Sequence, residues 1–287
     1  MADANGLSIS EEDVIRYEQD GAVCLRGLFK PWLPLLEEAI DRNIREPGPL
    51  GTRYGKKEHK GTFHGDRYMW TFDSDFRDFV LHSPAAAIAG ALMRVDKINF
   101  FYDHLLVKEP GAEAPTPWHQ DLPYWCVTGD QTCSIWLTLD EIGQDNGPLE
   151  FVRGSHRWNR QFRAPDFKFT ETYSDELEAV PDIDADRSAF EILNWDMAPG
   201  DCIAFHGLAV HGSPGNASGT RRRRALSTRW LGDDITYREH PRVTKPIRDP
   251  GLKSGDRMDC DLFPIVWRKS AGASELATSD LGSRSRS

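Results

Sequence analysis

The sequence predicts a mainly β fold: a sandwich or barrel of short strands with helical padding at its N-terminal end. Two patterns point there. Apolar residues recur at helical spacing only within residues 10–95, and after residue 98 the chain breaks into short strand-like runs set off by Gly and Pro. A third observation bears on what the strands enclose. Nine Trp and fourteen Phe among 287 residues must either pack a core or line a pocket.

Ser10-Glu11-Glu12-Asp13 opens the first helix, with the serine placed to cap free N–H groups and the acids at the positive end of the dipole. Gly21 stops it. Residues 22–29 (AVCLRGLF) read as a short strand. Residues 31–45 read as a second helix, with Leu33, Leu36 and Ile40 at helical spacing, ended by Glu46-Pro47-Gly48-Pro49. Residues 51–71 lose all periodicity and are basic, aromatic and glycine-punctuated, as expected of a long functional loop. Residues 75–95 are helical again, split by Pro84. Strands are expected at 98–109, 134–139, 149–152, 201–205, 209–211 and 223–231, and a polar insertion or long loop at 164–188. Residues 1–268 are expected to form one domain and 269–287 a flexible Ser/Gly/Ala-rich tail. There is no internal repeat.

The composition excludes several classes of function. With 35 basic and 45 acidic residues the net charge is −10, against the basic footprint that broad nucleic-acid binding needs. The run Arg221 to Arg224 does not change this, because alternation on a strand scatters four charges within an acidic chain. No apolar run approaches the roughly 18 residues of a membrane span, and the N-terminus shows no secretory pattern. Five cysteines, none in a CxxC pair, do not make a disulfide framework. A cytoplasmic chain acting on a small molecule is expected, with neither nucleic acid nor membrane as partner. The oligomeric state is not legible.

Trp118-His119-Gln120-Asp121 carries the first chemical signal. On a strand, His119 and Asp121 point to one face and offer a nitrogen and a carboxylate oxygen to one cation. A lone His-x-Asp is usually a surface or hydrogen-bonded pair, so a second histidine is needed. His211, in His211-Gly212-Ser213, is the candidate, and His206 five residues earlier is its rival. Two His and one carboxylate form the facial triad of non-haem Fe(II) oxygenases, which leaves positions open for a bidentate 2-oxo acid and O2. A diacid cosubstrate would also need an arginine fork for its far carboxylate. Arg221 to Arg224 follow the distal histidine.

Taken together, Leu105-Leu106-Val107-Lys108-Glu109-Pro110-Gly111, Trp118 to Trp125, Ile135-Trp136, Asn146-Gly147-Pro148-Leu149 with Gly154-Ser155-His156, and His211-Gly212-Ser213 through Ser227 resemble the phytanoyl-CoA dioxygenase (PhyH-like) family of Fe(II)/2-oxoglutarate oxygenases. The resemblance runs to about Tyr237 and implies a double-stranded β-helix, a jelly-roll or cupin-like barrel, with iron in its mouth. It makes His119, Asp121 and His211 the iron ligands and leaves His206 a wall residue. It places Leu105, Trp136 and Ser213 on the 2-oxoglutarate pocket. For the anchoring arginine, the family's spacing from the distal histidine selects Arg222. Its Arg-x-Ala-x-Ser pattern selects Arg223, which shares a strand face with Ala225 and Ser227 and is preferred. His104 either faces the cofactor or satisfies a core hydrogen bond, and His156 reads as a structural turn histidine.

The implied reaction is oxidation of an unactivated C–H bond, coupled to breakdown of 2-oxoglutarate to succinate and CO2. Related halogenases carry Ala or Gly at the carboxylate position, so Asp121 points to hydroxylation. Trp70, Tyr124 and Trp125 are candidate substrate walls. Lys57 and Arg67, with Arg53, Lys56 and Lys60, form a candidate anion clamp on the 51–71 loop. Two other classes fit parts of the pattern: a non-oxygenase metal cupin (an isomerase or hydrolase), which needs no distal arginine, and a non-catalytic binding barrel.

Overall fold

The computed structural model describes residues 9–165, 177–240 and 243–269. Helix α1 (Glu11–Asp20) starts at a reciprocal capping box: the Asp13 N–H donates to Ser10 Oγ (3.1 Å) and the Ser10 N–H to the Asp13 carboxylate (3.3 Å). It ends at Gly21, whose φ of +82° is left-handed. Strand β1 (Ala22–Leu25) and helix α2 (Leu33–Arg45) follow. The segment expected as a loop then forms a hairpin, β2 (Thr52–Arg53) and β3 (Phe63–Arg67). Helices α3 (Ser74–His82) and α4 (Ala85–Met93) flank Pro84 as the sequence predicts.

The remaining strands are β4 (Lys97–Lys108), β5 (Thr116–His119), β6 (Val127–Thr128), β7 (Thr132–Thr138), β8 (Glu150–Val152), β9 (Ile192–Leu193), β10 (Cys202–His206), β11 (His211–Ser213), β12 (Arg223–Leu231), β13 (Thr236–Tyr237) and β14 (Ile265–Arg268). The major sheet runs β1-β10-β7-β12-β4-β3-β2, with β14 also on β4, and the minor sheet runs β5-β11-β8-β9. All the pairings are antiparallel. The 51–71 segment was unreadable as strand because its alternation is weak; β3 is imposed by pairing with β4, from Phe63 opposite Lys108 to Arg67 opposite His104. The expected tail, apart from Lys269, lies outside the described residues, as do residues 166–176 of the expected 164–188 insertion.

Strand parity divides the core. One face of the major sheet sends Leu105, Val107, Ile135, Leu137 and Leu226 into a large cluster with the helices. The other sends Trp136, Ile203, Phe205 and Ala225 against Phe151 of the minor sheet, with Leu106 packed alongside. Buried polar side chains interrupt this second face, and they mark the site.

Candidate metal and cosubstrate site

His119 closes β5 and His211 opens β11, and the two are directly opposed in register. Their ring centroids lie 4.1 Å apart. Each ring is oriented by its own strand. His119 Nδ1 is 2.8 Å from the Pro117 carbonyl and His211 Nδ1 is 2.9 Å from the Ala209 carbonyl. A carbonyl only accepts, so Nδ1 carries the proton in both and Nε2 presents its lone pair. Asp121 completes the set, and one ligand atom from each residue lies within 4.8 Å of the others.

Asp121 reaches the site by a different route from the expected one. It lies beyond the end of β5 in helical backbone (φ −72°, ψ −42°), at the start of a short 3-10 turn containing Pro123. The turn, not strand alternation, brings the carboxylate within 3.5 Å of His119 Nε2. Its other oxygen accepts from Ser134 Oγ (3.1 Å) and faces Arg229 Nη2 at 3.7 Å. Burial alone would raise the Asp121 carboxyl, but Arg229 and the two imidazoles outweigh it and hold the group well below the usual carboxylate range. Burial and the neighbouring His119 push His211 down to about 3. The triad therefore offers a carboxylate at Asp121 and a neutral imidazole at His211 to a cation.

A second polar group lies on the face of the major sheet that packs toward the minor sheet. Arg223 is 1% exposed and donates through Nη1 to the Gly147 carbonyl (3.1 Å), while its Nε and Nη2 are buried with no hydrogen-bond partner. Burial pushes its guanidinium down to about 9. Lys108, its register partner on β4, is fully buried and donates to Ser213 Oγ (3.1 Å) and the Pro214 carbonyl (2.6 Å). Both cations lie near the Phe63 ring, at 4.9 Å for Lys108 and 6.0 Å for Arg223, and Arg223 also lies over Trp136 at 5.4 Å. Trp136 Nε1 and Ser227 Oγ are buried and unpartnered nearby in the same sheet. These donors fit a small dianion: buried polar atoms are rarely left unpaired unless a ligand completes them.

The chain matches the Phytanoyl-CoA dioxygenase (PhyH) family model over residues 17–225. It belongs to the PhyH family. An L-proline trans-4-hydroxylase of Streptomyces griseoviridis is 32% identical over 260 residues, covering 84% of this chain and 91% of that protein. A probable phytanoyl-CoA dioxygenase of Caenorhabditis elegans is 28% identical, covering 80% and 78%. Among solved structures, the α-ketoglutarate-dependent carbocyclase SnoK of nogalamycin biosynthesis superposes with a TM-score of 0.74 at 23% identity, over 90% of this chain and 97% of that one. The fold is the double-stranded β-helix of these oxygenases. As a PhyH protein the chain is an Fe/2-oxoglutarate-dependent dioxygenase, with Fe(II), 2-oxoglutarate and O2 as its cofactor set.

Within this PhyH barrel several expected positions are corrected. Leu105 is opposite Leu226 and packs on the helix side; Leu106, one residue on, faces the barrel interior. The motif fixed the strand but not its parity. Arg222 points outward and clasps Glu109 through Nη2 (2.6 Å) and Nε (3.1 Å), so only Arg223 faces the pocket. Trp70 packs edge-on to Phe100, 5.5 Å away in the helix-side core, and its backbone N–H donates to the Asp103 carboxylate. Lys57 is exposed at a turn of the hairpin. Tyr124 stands edge-on to His119 at 5.7 Å, and Trp125 packs against Phe101 and Tyr102. His206 donates through Nε2 to the Asp130 carbonyl and accepts the Leu208 N–H at Nδ1, so both nitrogens are engaged. His156 Nε2 bonds the Glu18 carbonyl, beside Gly21, where any Cβ would meet its ring at 2.4 Å.

Sequence reading missed Lys108, Ser134 and Arg229. The signal for Arg229 was present: the alternation that joins Arg223, Ala225 and Ser227 continues to it. Lys108 follows in the same way from His104 and Leu106.

Proposed function

We propose that the protein hydroxylates an unactivated C–H bond of a small metabolite, releasing succinate and CO2, through one catalytic unit of residues 1–268 acting in the cytoplasm. His119, Asp121 and His211 hold the iron. Arg223 anchors the far carboxylate of 2-oxoglutarate, with Ser213, held by Lys108, beside it. Bound iron and cosubstrate supply the oxidant. The chain's own residues orient the ligands, exclude water and set the charge. The observation that carries this reading is a buried His-Asp-His triad at the minor sheet facing a major sheet that holds a buried arginine whose Nε and Nη2 lack partners.

Two facts support hydroxylation among the family's outcomes. Asp121 supplies the carboxylate that the resemblance associates with hydroxylases, and the L-proline trans-4-hydroxylase relative covers most of this chain. Structural neighbours described as a carbocyclase and an epimerase share the fold, so product analysis decides the outcome. The first test is visible absorption of the anaerobic Fe(II) protein before and after adding 2-oxoglutarate. A new charge-transfer band is the expected result, followed by substrate-dependent succinate release. Bound iron without the band would instead mark a non-oxygenase metal cupin, and no iron binding a non-catalytic barrel.

A further inference from the structure

Beyond the triad, the interior face of β3, β4 and β12 continues into a second set of polar side chains. Alternation along β3 puts Phe63, Gly65 and Arg67 on one face, opposite Lys108, Leu106 and His104. His104 is opposite Ser227, and Tyr102 is opposite Arg229. Arg229 lies over the Tyr102 ring at 4.7 Å and donates to His104 Nδ1 (3.4 Å). Guanidinium nitrogens only donate, so His104 is neutral with its proton on Nε2, which donates to Tyr54 Oη (2.7 Å). Burial, Arg229 and Arg67 all favour that neutral form. Tyr54 fits because residue 65 is glycine: a Cβ there would lie 2.2 Å from the Tyr54 ring.

The charges on this wall do not balance. Arg229 faces the Asp121 carboxylate at 3.7 Å, and His104 is neutral. Arg67 adds a positive charge whose buried Nε has no hydrogen-bond partner. This contrasts with Arg42, Arg153, Arg187, Arg222 and Arg224, each of which is held by an acidic side chain. We propose that the barrel mouth takes a small substrate bearing a carboxylate, with the carboxylate on Arg67 beside the Tyr54–His104–Arg229 wall and the carbon to be oxidised toward the triad. This rests on the oxygenase reading and names its substrate class.

A single guanidinium fork matches the two coplanar oxygens of a carboxylate. A phosphate dianion would leave charge unmatched. Arg67 lies across β4 from Ser227, roughly 10 Å at the usual strand spacing, and Arg229 lies two residues further along β12. A metabolite-sized acid spans that gap without any coenzyme handle.

The test uses the anaerobic Fe(II) protein saturated with 2-oxoglutarate. The probes are free L-amino acids and C4–C6 monocarboxylates, each beside its own carboxamide. Binding is read as a change in the charge-transfer band, with no turnover required. At least one acid should perturb the band, with its amide binding at least about tenfold more weakly. Arg67→Gln should weaken that acid at least about tenfold, and Arg67→Lys should recover part of the loss, with 2-oxoglutarate affinity unchanged in both. Three results would each overturn the proposal: amides binding as well as acids, no acid perturbing the band, or Arg67→Gln retaining full affinity. The acid–amide contrast in the wild type decides the matter even if Arg67→Gln does not fold. A missing 2-oxoglutarate band before any probe is added would strike the oxygenase reading itself.

Discussion

Replacing Arg223 with methionine should move cosubstrate affinity and apo-protein stability in opposite directions. Two guanidinium nitrogens, Nε and Nη2, stand buried without partners. If both bond the far carboxylate of 2-oxoglutarate at about 1.5–3 kcal/mol each, their loss costs about 3–6 kcal/mol, or roughly 10²- to 10⁴-fold in Kd. In the apo-protein the same side chain is a buried cation beside Lys108, and burial pushes its guanidinium down to about 9. Methionine fills similar volume without a charge to desolvate. Arg223→Met should therefore unfold at equal or higher urea concentration than wild type, by analogy with buried ion pairs replaced by apolar residues. The assays are anaerobic titration of 2-oxoglutarate on the charge-transfer band and urea denaturation of metal-free protein. Arg222→Ala is the control. Its side chain is 37% exposed and paired with Glu109, so it should change stability by less than about 1 kcal/mol and leave 2-oxoglutarate binding unaltered. An Arg223→Met protein that binds 2-oxoglutarate within threefold of wild type would refute the assignment. Marked loss of apo stability would refute the electrostatic reasoning.

Ser134→Ala removes the hydroxyl that donates to Asp121, and Fe(II) affinity should fall about 10- to 100-fold in a metal titration; an unchanged affinity would leave Asp121 oriented by Arg229 alone. Asp103 is fully buried, and burial raises its carboxyl to about 7, only partly offset by the Trp70 N–H. The folded state thus binds this proton more tightly than the unfolded chain, so stability is full below pH ~4 and falls as pH rises to ~7, by on the order of 4 kcal/mol. Asp103→Asn should therefore gain on wild type in urea denaturation between pH 5 and pH 8, and a pH-independent difference would exclude Asp103 as the source. Gly65→Ala would drive a methyl into the Tyr54 ring and 3.0 Å from the Leu105 carbonyl. It should cost about 1–3 kcal/mol and break the Tyr54–His104 bond, while 2-oxoglutarate still binds.

Much of the site was legible because strands write it with a period of two. Arg223 was separated from Arg222 by its parity with Ala225 and Ser227, and the same rule extended one step further yields Arg229. Parity also explains the error at Leu105, where a motif located the strand but the neighbour Leu106 holds the interior face. Asp121 was found for an incorrect reason, since the turn at Leu122-Pro123-Tyr124 carries it and not β5. Arg67 was suspected as a loop cation. Its place inside the barrel depends on β3 pairing with β4, a long-range contact that no local pattern in the 51–71 segment encodes. The helices were plain from capping and Pro84, because those signals are local. Strands β9, β13 and β14, of two to four residues each, carry too few positions for a pattern.

The side-by-side burial of Lys108 and Arg223 near one phenylalanine ring ties the protein's survival to its cosubstrate supply. Burial disfavours the charged form of both side chains, and at Lys108 the neighbouring Arg223 adds to that, so a bound dianion relieves both at once. At a hundred times its Kd, a ligand that binds only the folded state adds about 2.7 kcal/mol, a large share of typical domain stability. Scarcity of 2-oxoglutarate would then do more than idle the enzyme. It would raise the unfolded fraction exposed to proteases.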